Sequence, residues 1–178
     1  MNRLHTQSLF CLSSLLPGCI LPAKSEYRVV QLRHHDPALL TSLQTLHQAL
    51  RTHHGADPHA QQFMEFITQR LDDEGMLLIL ALADSTPVGY GLAFDVPEHP
   101  FMPDWNRAGY ITQLFVAPQH RRQGVGQRLL HFIVEWLASR GVTNVLLNVS
   151  VNNPGGEQFW RKQGFIPLQV RMRRKIAL

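Results

Sequence analysis

Hydrophobic positions along the chain follow two periods, and the switches between them mark its elements. Val29, Val30 and Leu32 fall in a short β-branched run, so Tyr27–Arg33 is predicted to be a strand. Asp36-Pro37 follows it, an N-cap acceptor and then a proline, whose missing N–H costs nothing in a first helical turn. Leu40, Leu43, Leu46, His47 and Leu50 then trace one helical face. Asp57-Pro58 repeats the start signal, and Phe63, Ile67 and Leu71 form the stripe of a second helix that ends near Asp72–Gly75. Met76–Ala83 is apolar without interruption and reads as a buried strand. Asp84-Ser85-Thr86-Pro87 turns it into a further strand, Val88–Asp95, where Gly89 and Gly91 thin the side-chain cover and let another element pack close.

The second half opens with a long loop, Val96–Arg107, which holds three prolines with Glu98, His99, Phe101, Asp104 and Trp105. Loops of this length in compact domains are often functional. Tyr110–Val116 is β-branched and aromatic enough for a strand, stopped by Pro118. Val125, Leu129, Ile133 and Leu137 recur at four-residue spacing in a helix that Gly141 closes. Asn144–Val151 reads as a strand and Gly156–Gln163 as a short helix. Pro167–Ile176 is expected as a last strand, with Val170 and Met172 alternating against Arg171 and Arg173. The order β-α-α-β-β-β-α-β-α-β predicts an α/β domain over residues 26–178. Its mixed, mostly antiparallel sheet is flanked by helices, because short turns join the strands of the first half. Residues 1–25 read as a poorly ordered extension: the apolar run at Leu9–Leu12 and Leu15-Leu16 is broken by Ser13-Ser14 and Pro17-Gly18 and is too short to span a bilayer.

Composition narrows the class. Of 178 residues, 44% are hydrophobic and 17% charged, a globular balance. The formal charge of +4 suits an anionic ligand and equally suits nucleic acid, so its sign does not choose between them. Both cysteines, Cys11 and Cys19, precede the first patterned element, which excludes a disulfide framework for the core. No Cys/His spacing for a metal occurs among the scattered histidines. The basic residues from Arg171 to Lys175 lack interleaved aromatics, so they read as a solvated face and not as a nucleic-acid surface.

The chemistry concentrates in Arg121-Arg122-Gln123-Gly124-Val125-Gly126-Gln127, between a strand and a helix. The first turn of that helix presents free N–H groups and the positive end of the helix dipole. Two glycines let a ligand approach the backbone, and two arginines add charge. This is an anion cradle, suited to a phosphate or pyrophosphate. A nucleotide-triphosphate loop needs Lys-Ser/Thr after its last glycine, whereas Gln127-Arg128 stands here. A dinucleotide fingerprint needs a small residue where Leu129 stands and an acidic residue about twenty positions on, where Asn144–Asn148 has none.

What remains, Arg-x-x-Gly-x-Gly, resembles the acetyl-coenzyme A loop of the GCN5-related N-acetyltransferase (GNAT) superfamily. A second motif agrees: Val149-x-x-x-Asn153-x-x-Gly156-x-x-Phe159-Trp160-x-x-x-Gly164-Phe165 is similar to that family's strand, short helix and Gly-Phe. The element order over residues 27–176 is also the family's order. The resemblance implies an N-acetyltransferase that moves an acetyl group from acetyl-CoA directly to a primary amine of a small molecule or peptide, without a metal, a membrane or nucleic acid. A cytoplasmic location and a homodimer belong to the same expectation. It assigns the pantetheine arm to the backbone at Phe115-Val116 and the pyrophosphate to amides from Arg121 or Arg122 through Gln127. Asn153, Phe159 and Trp160 stand beside the cofactor, and the Val116 N–H acts as oxyanion donor.

Two departures qualify the resemblance. Trp160 stands where family enzymes frequently carry a proton-donating Tyr, which leaves water, Ser150 or Tyr110 to protonate a thiolate of pKa about 8.5. No carboxylate lies on the strand that often supplies the base, which shows Tyr110, Thr112 and Gln113; Glu98, His99 and Asp104 in the long loop are the substitutes. A lysine-like amine, of pKa about 10.4, is neutral in only roughly one molecule in a few thousand at pH 7 and needs a base, whereas an α-amine near 8 needs little help. The missing base and acid make a non-catalytic acyl-CoA-sensing domain the alternative.

Overall fold

The computed structural model describes residues 26–53, 55, 60–97, 107–172 and 174–176. Five strands form one sheet in the order β1 (Tyr27–Gln31), β2 (Met76–Ala83), β3 (Thr86–Pro97), β4 (Arg107–Val116) and β5 (Asn144–Leu147). The first four are antiparallel to one another in succession, and β5 runs parallel to β4. Helices α1 (Pro37–His53) and α2 (Ala60–Thr68) cover one face, and α3 (Val125–Ser139) covers the other; α4 (Pro154–Lys162) follows β5. Glu98, His99, Asp104, the Asp57-Pro58 start signal and the 1–25 extension all lie outside the described residues.

β2 is buried along its whole length, as an unbroken apolar run requires. Its odd positions, Leu77, Ile79 and Ala81, meet α3, while Met76, Leu78, Leu80 and Leu82 meet α1 and α2. Asp36 caps α1 as expected, its Oδ1 accepting from the N–H groups of Ala38 and Leu39 at 2.9 and 3.1 Å. The glycines of β3 and β4 set how closely α3 approaches. A Cβ on Gly91 would lie 3.0 Å from Ile133 Cδ1, and one on Gly109 would lie 2.5 Å from Leu137 Cδ1. Leu137 is fully buried and has nowhere to retreat.

Three expectations need correction. β5 ends at Leu147 instead of Val151, because its one partner among the described residues, β4, pairs with it no further than Ile111. Pro167–Ile176 carries no ladder among the described residues: its apolar positions have nothing to pack on, with Val170 85% and Met172 90% exposed. The strand β4 begins earlier than its aromatic run, at Arg107.

That early start is held by a charge cluster. Asp95, at the end of β3, accepts from Arg107 at the start of β4 and from Arg140 Nε, at the C-cap of α3, at 2.7 Å. Its side chain is 2% exposed. The Arg107 guanidinium, and then that of Arg140, hold its carboxyl below the usual carboxylate range against the opposing effect of burial. A depressed pKa stabilises the fold above the unfolded value of about 3.9, and that stability disappears as pH falls through the folded value.

Two outcomes follow. Gly109→Ala should lower the free energy of unfolding by about 1–3 kcal/mol, the usual range for overpacking, in a urea titration. In melts from about pH 7 down to pH 3, wild-type protein should lose stability at the acid end. Asp95→Asn should be less stable at neutral pH and flatter across that range.

Candidate active site

An irregularity in β4 creates the site. Leu92 pairs with Gln113 but Ala93 pairs with Ile111, so Thr112 is an extra residue, a β-bulge. Its Oγ1 donates to Leu92 O at 3.2 Å. The bulge reverses side-chain alternation. Ile111, Leu114 and Val116 pack toward α3, whereas Gln113 and Phe115 turn toward α1 with Tyr90. It also ends pairing with β5. Beyond Ile111, β4 has a neighbour on the β3 side only, and the chain after Leu147 diverges to α4.

The resulting fork opens into a cleft of about 1100 Å³, with a smaller cavity of about 100 Å³ at its inner end. One wall is Leu114–Val116 and the loop before α3; the opposite wall is Asn152–Gly156 with Phe159 and Trp160. Leu50, from the end of α1, and Trp160 line both spaces.

Backbone directions along β4 decide what it can offer. Ala117 N–H donates to Val88 O at 2.9 Å, toward β3. Phe115 O also faces β3, lying 2.7 Å from where a Gly89 Cβ would stand. Polar backbone groups alternate sides along a strand, so those of Leu114 and Val116 face the fork. Val116 O is already engaged by Arg121 Nε at 2.9 Å, with the guanidinium 5.7 Å from the Phe115 ring centroid. Val116 thus presents its N–H, and the residue that offers both groups is Leu114, which sequence reasoning missed. No local sequence signal marks it: only the structure shows that Ile111 and Phe115, four residues apart, lie on opposite faces.

The loop is built to leave the start of α3 open. Arg122 has φ +60° and the N-cap Gly124 has φ +82°, left-handed values that tighten the turn. No side chain caps the helix, and no acidic residue lies in its first turn. The first helical bond is Arg128 N–H to Gly124 O, which leaves the amides of Val125, Gly126 and Gln127 without helical partners. Arg121, Arg122, Gly124, Gly126 and Gln127 line the cleft. Val125 and Gln123 do not: Val125 is buried in the core, and Gln123 turns back into the fold. A Cβ on Gly126 would touch Phe159 at 3.4 Å, so this glycine leaves the space between the two walls clear.

Gln123 is held by an unforeseen residue. Buried Tyr27 donates from its hydroxyl to Gln123 Oε1 at 2.6 Å and meets His120 Nδ1 at 3.0 Å, while Arg128 Nη1 donates to Tyr27 O at 3.1 Å. Strand β1 thereby ties down both ends of the loop. On the other wall, Asn153 Oδ1 accepts from Gly156 N–H at 2.9 Å and caps α4. Trp160 packs edge-on between Phe159 and Phe165, at 5.0 and 5.2 Å between ring centroids. Tyr110 lies below the fork, in the part of β4 paired with β5; its hydroxyl accepts from Asn148 Nδ2, and it does not line the cleft. No carboxylate lines either space among the described residues, and no group of three or more metal-ligating side chains occurs there. No described helix is long and apolar enough to cross a membrane.

Tyr27→Phe should leave global stability within about 1.5 kcal/mol of wild type, the scale of a net hydrogen bond. It should accelerate amide hydrogen exchange selectively in residues 120–126, and uniform exchange rates would refute the tether.

The Acetyltransferase (GNAT) family profile matches residues 40–165. GCN5-related N-acetyltransferase 6, chloroplastic, of Arabidopsis thaliana is 42% identical over 60 residues, which span 34% of this chain but only 21% of that relative. Aminoglycoside N-acetyltransferase AAC(6')-Iy in complex with CoA superposes with a TM-score of 0.72 at 19% identity, over 89% of this chain and all of that one. An aminoglycoside acetyltransferase from an uncultured soil metagenomic sample, in complex with sisomicin, superposes at 0.66 with 17% identity over 85% and 96%. A profile match over most of the chain, on a fold with this cleft, settles the family: the protein belongs to the GNAT acetyltransferases.

Proposed function

We propose that this protein transfers an acetyl group from acetyl-CoA directly to a primary amine of a small molecule or peptide. The open first turn of α3 is the observation that carries the reading: unpartnered amides, a left-handed glycine and two arginines face one cleft, a donor set that fits a pyrophosphate. Backbone groups of Leu114 would align an amide-bearing arm as an added strand. The Val116 N–H would then meet the thioester oxygen as charge develops on it. Acetyl-CoA supplies an acyl group already activated as a thioester; the protein's part is to orient it and exclude water. Trp160 packs against the arm and has no acidic proton to give.

The lack of a carboxylate among the described residues lining the cleft favours a second reading, an acyl-CoA-binding domain without turnover. Glu98, with His99 and Asp104, is the sequence candidate for a base, from the stretch between β3 and β4.

Acetyl-CoA at a hundred times its dissociation constant should add about 2.7 kcal/mol, raising the melting temperature by roughly 5–10 °C for a chain of this size. Gly126→Val, whose branches would fill the gap to Phe159, should abolish that rise while leaving the ligand-free melt little changed. An unaltered melt at millimolar acetyl-CoA would refute both readings. Thiol release across amino acids, polyamines, aminoglycosides and peptide N-termini would separate transfer from sensing.

A further inference from the structure

The bulge at Thr112 turns Gln113 into a buried polar chain. Tyr90, fully buried in β3, donates from its hydroxyl to Gln113 Oε1 at 2.6 Å, and the Tyr90 hydroxyl oxygen itself meets His47 Nδ1 at 3.0 Å. His47 is itself buried in α1 and stacked on Phe63 at 3.7 Å between ring centroids. The phenol has one proton and gives it to Gln113, so His47 Nδ1 must be the donor to Tyr90. Burial holds the phenol neutral by raising its pKa and lowers that of His47, so the imidazole is neutral with its proton on Nδ1. In this arrangement the hydrogen bonds run from His47 through Tyr90 to Gln113. Oε1 is committed to Tyr90, with His47 also within side-chain hydrogen-bonding reach of the Gln113 amide, and Nε2 makes no bond to another described side chain and is not a buried unsatisfied atom. Gln113 lines the inner cavity of the fork beside Thr112, Asn148 and Trp160.

We propose that Gln113 is a substrate-recognition residue, offering only N–H donors to the acceptor cavity, and that Tyr90 and His47 are positioning residues that fix its orientation. The site then selects an amine with an oxygen acceptor, hydroxyl or carbonyl, on the neighbouring carbon. An unadorned alkylammonium, which carries only donors, meets a donor there and gains nothing. This rests on the acetyltransferase reading for the identity of the cavity but not for its test.

The test is acceptor binding to the CoA-loaded protein, followed by calorimetry. The probes are aminocyclohexanol and aminocyclohexanecarboxamide, each with the oxygen-bearing group next to the amine, and cyclohexylamine. Wild type should bind the better oxygen-bearing probe about tenfold more tightly than cyclohexylamine, the scale of one well-made hydrogen bond. Which of the two leads identifies a hydroxyl or a carbonyl as the natural feature. Gln113→Met should reduce the ratio to about twofold or less. Tyr90→Phe, which frees the amide to rotate, should do the same, whereas a merely loosened core would weaken all three probes alike. An equal affinity of wild type for all probes, no binding of any, or a ratio unchanged in Gln113→Met would overturn the proposal. Because the readout is binding, failure of acetyl transfer would count against the acetyltransferase reading alone.

Discussion

One strand with a neighbour on only one side governs the rest of this structure. Had β4 and β5 stayed paired beyond Ile111, the sheet would have closed and the polar groups of Leu114 and Val116 would have satisfied β5. The extra residue at Thr112 costs a ladder hydrogen bond or two, which buried backbone rarely forgoes. In exchange, extended backbone is left open beside a large cleft, and Gln113 faces α1. Cleft, open Val116 N–H and polar chain share this one origin, which is why the wall residues cluster so tightly in sequence.

The supporting structure is stiff where the cleft needs it. On the α3 side, Gly91 and Gly109 let the C-terminal half of the helix sit close to the sheet, with Ile133 and Leu137 in van der Waals contact with the strand backbone. At the C-terminal end of α3, Arg140 reaches Asp95 and fixes the helix to the β3–β4 end of the sheet. Tyr27 restrains the loop from the far edge. Helix α3 is thus clamped at both ends by polar contacts and along its length by apolar ones, while its first turn is left without a cap. A flexible loop could not hold three amides in a fixed geometry.

Local signals made much of this readable in advance. Asp36-Pro37, the unbroken run of β2 and the four-residue stripe of α3 each act within a few residues, so the sequence displays them directly. The glycine loop was legible because left-handed turns and close approach leave few choices of residue. The bulge was not, since Thr112 is an ordinary strand residue and only the register with β3 makes it surplus. Tyr27, His47 and Tyr90 escaped notice for a related reason: each acts on a partner 23 to 96 positions away, and nothing local marks such a bond. The last strand failed in the other direction, because alternation specifies a face without supplying a partner.

That unladdered segment bears on solubility. The outer edge of β5 ends the sheet among the described residues, and Ile166–Ile176 carries a β-patterned apolar face exposed beside charged neighbours. Unpaired edges and apolar β-prone segments are the usual templates for aggregation. Here Pro167 interrupts the start, and Arg171, Arg174 and Lys175 put like charges along the remainder. Charges placed this way beside apolar β-prone positions are the pattern by which sequences guard such segments, so the solvated basic face has a second consequence, opposing edge-to-edge stacking.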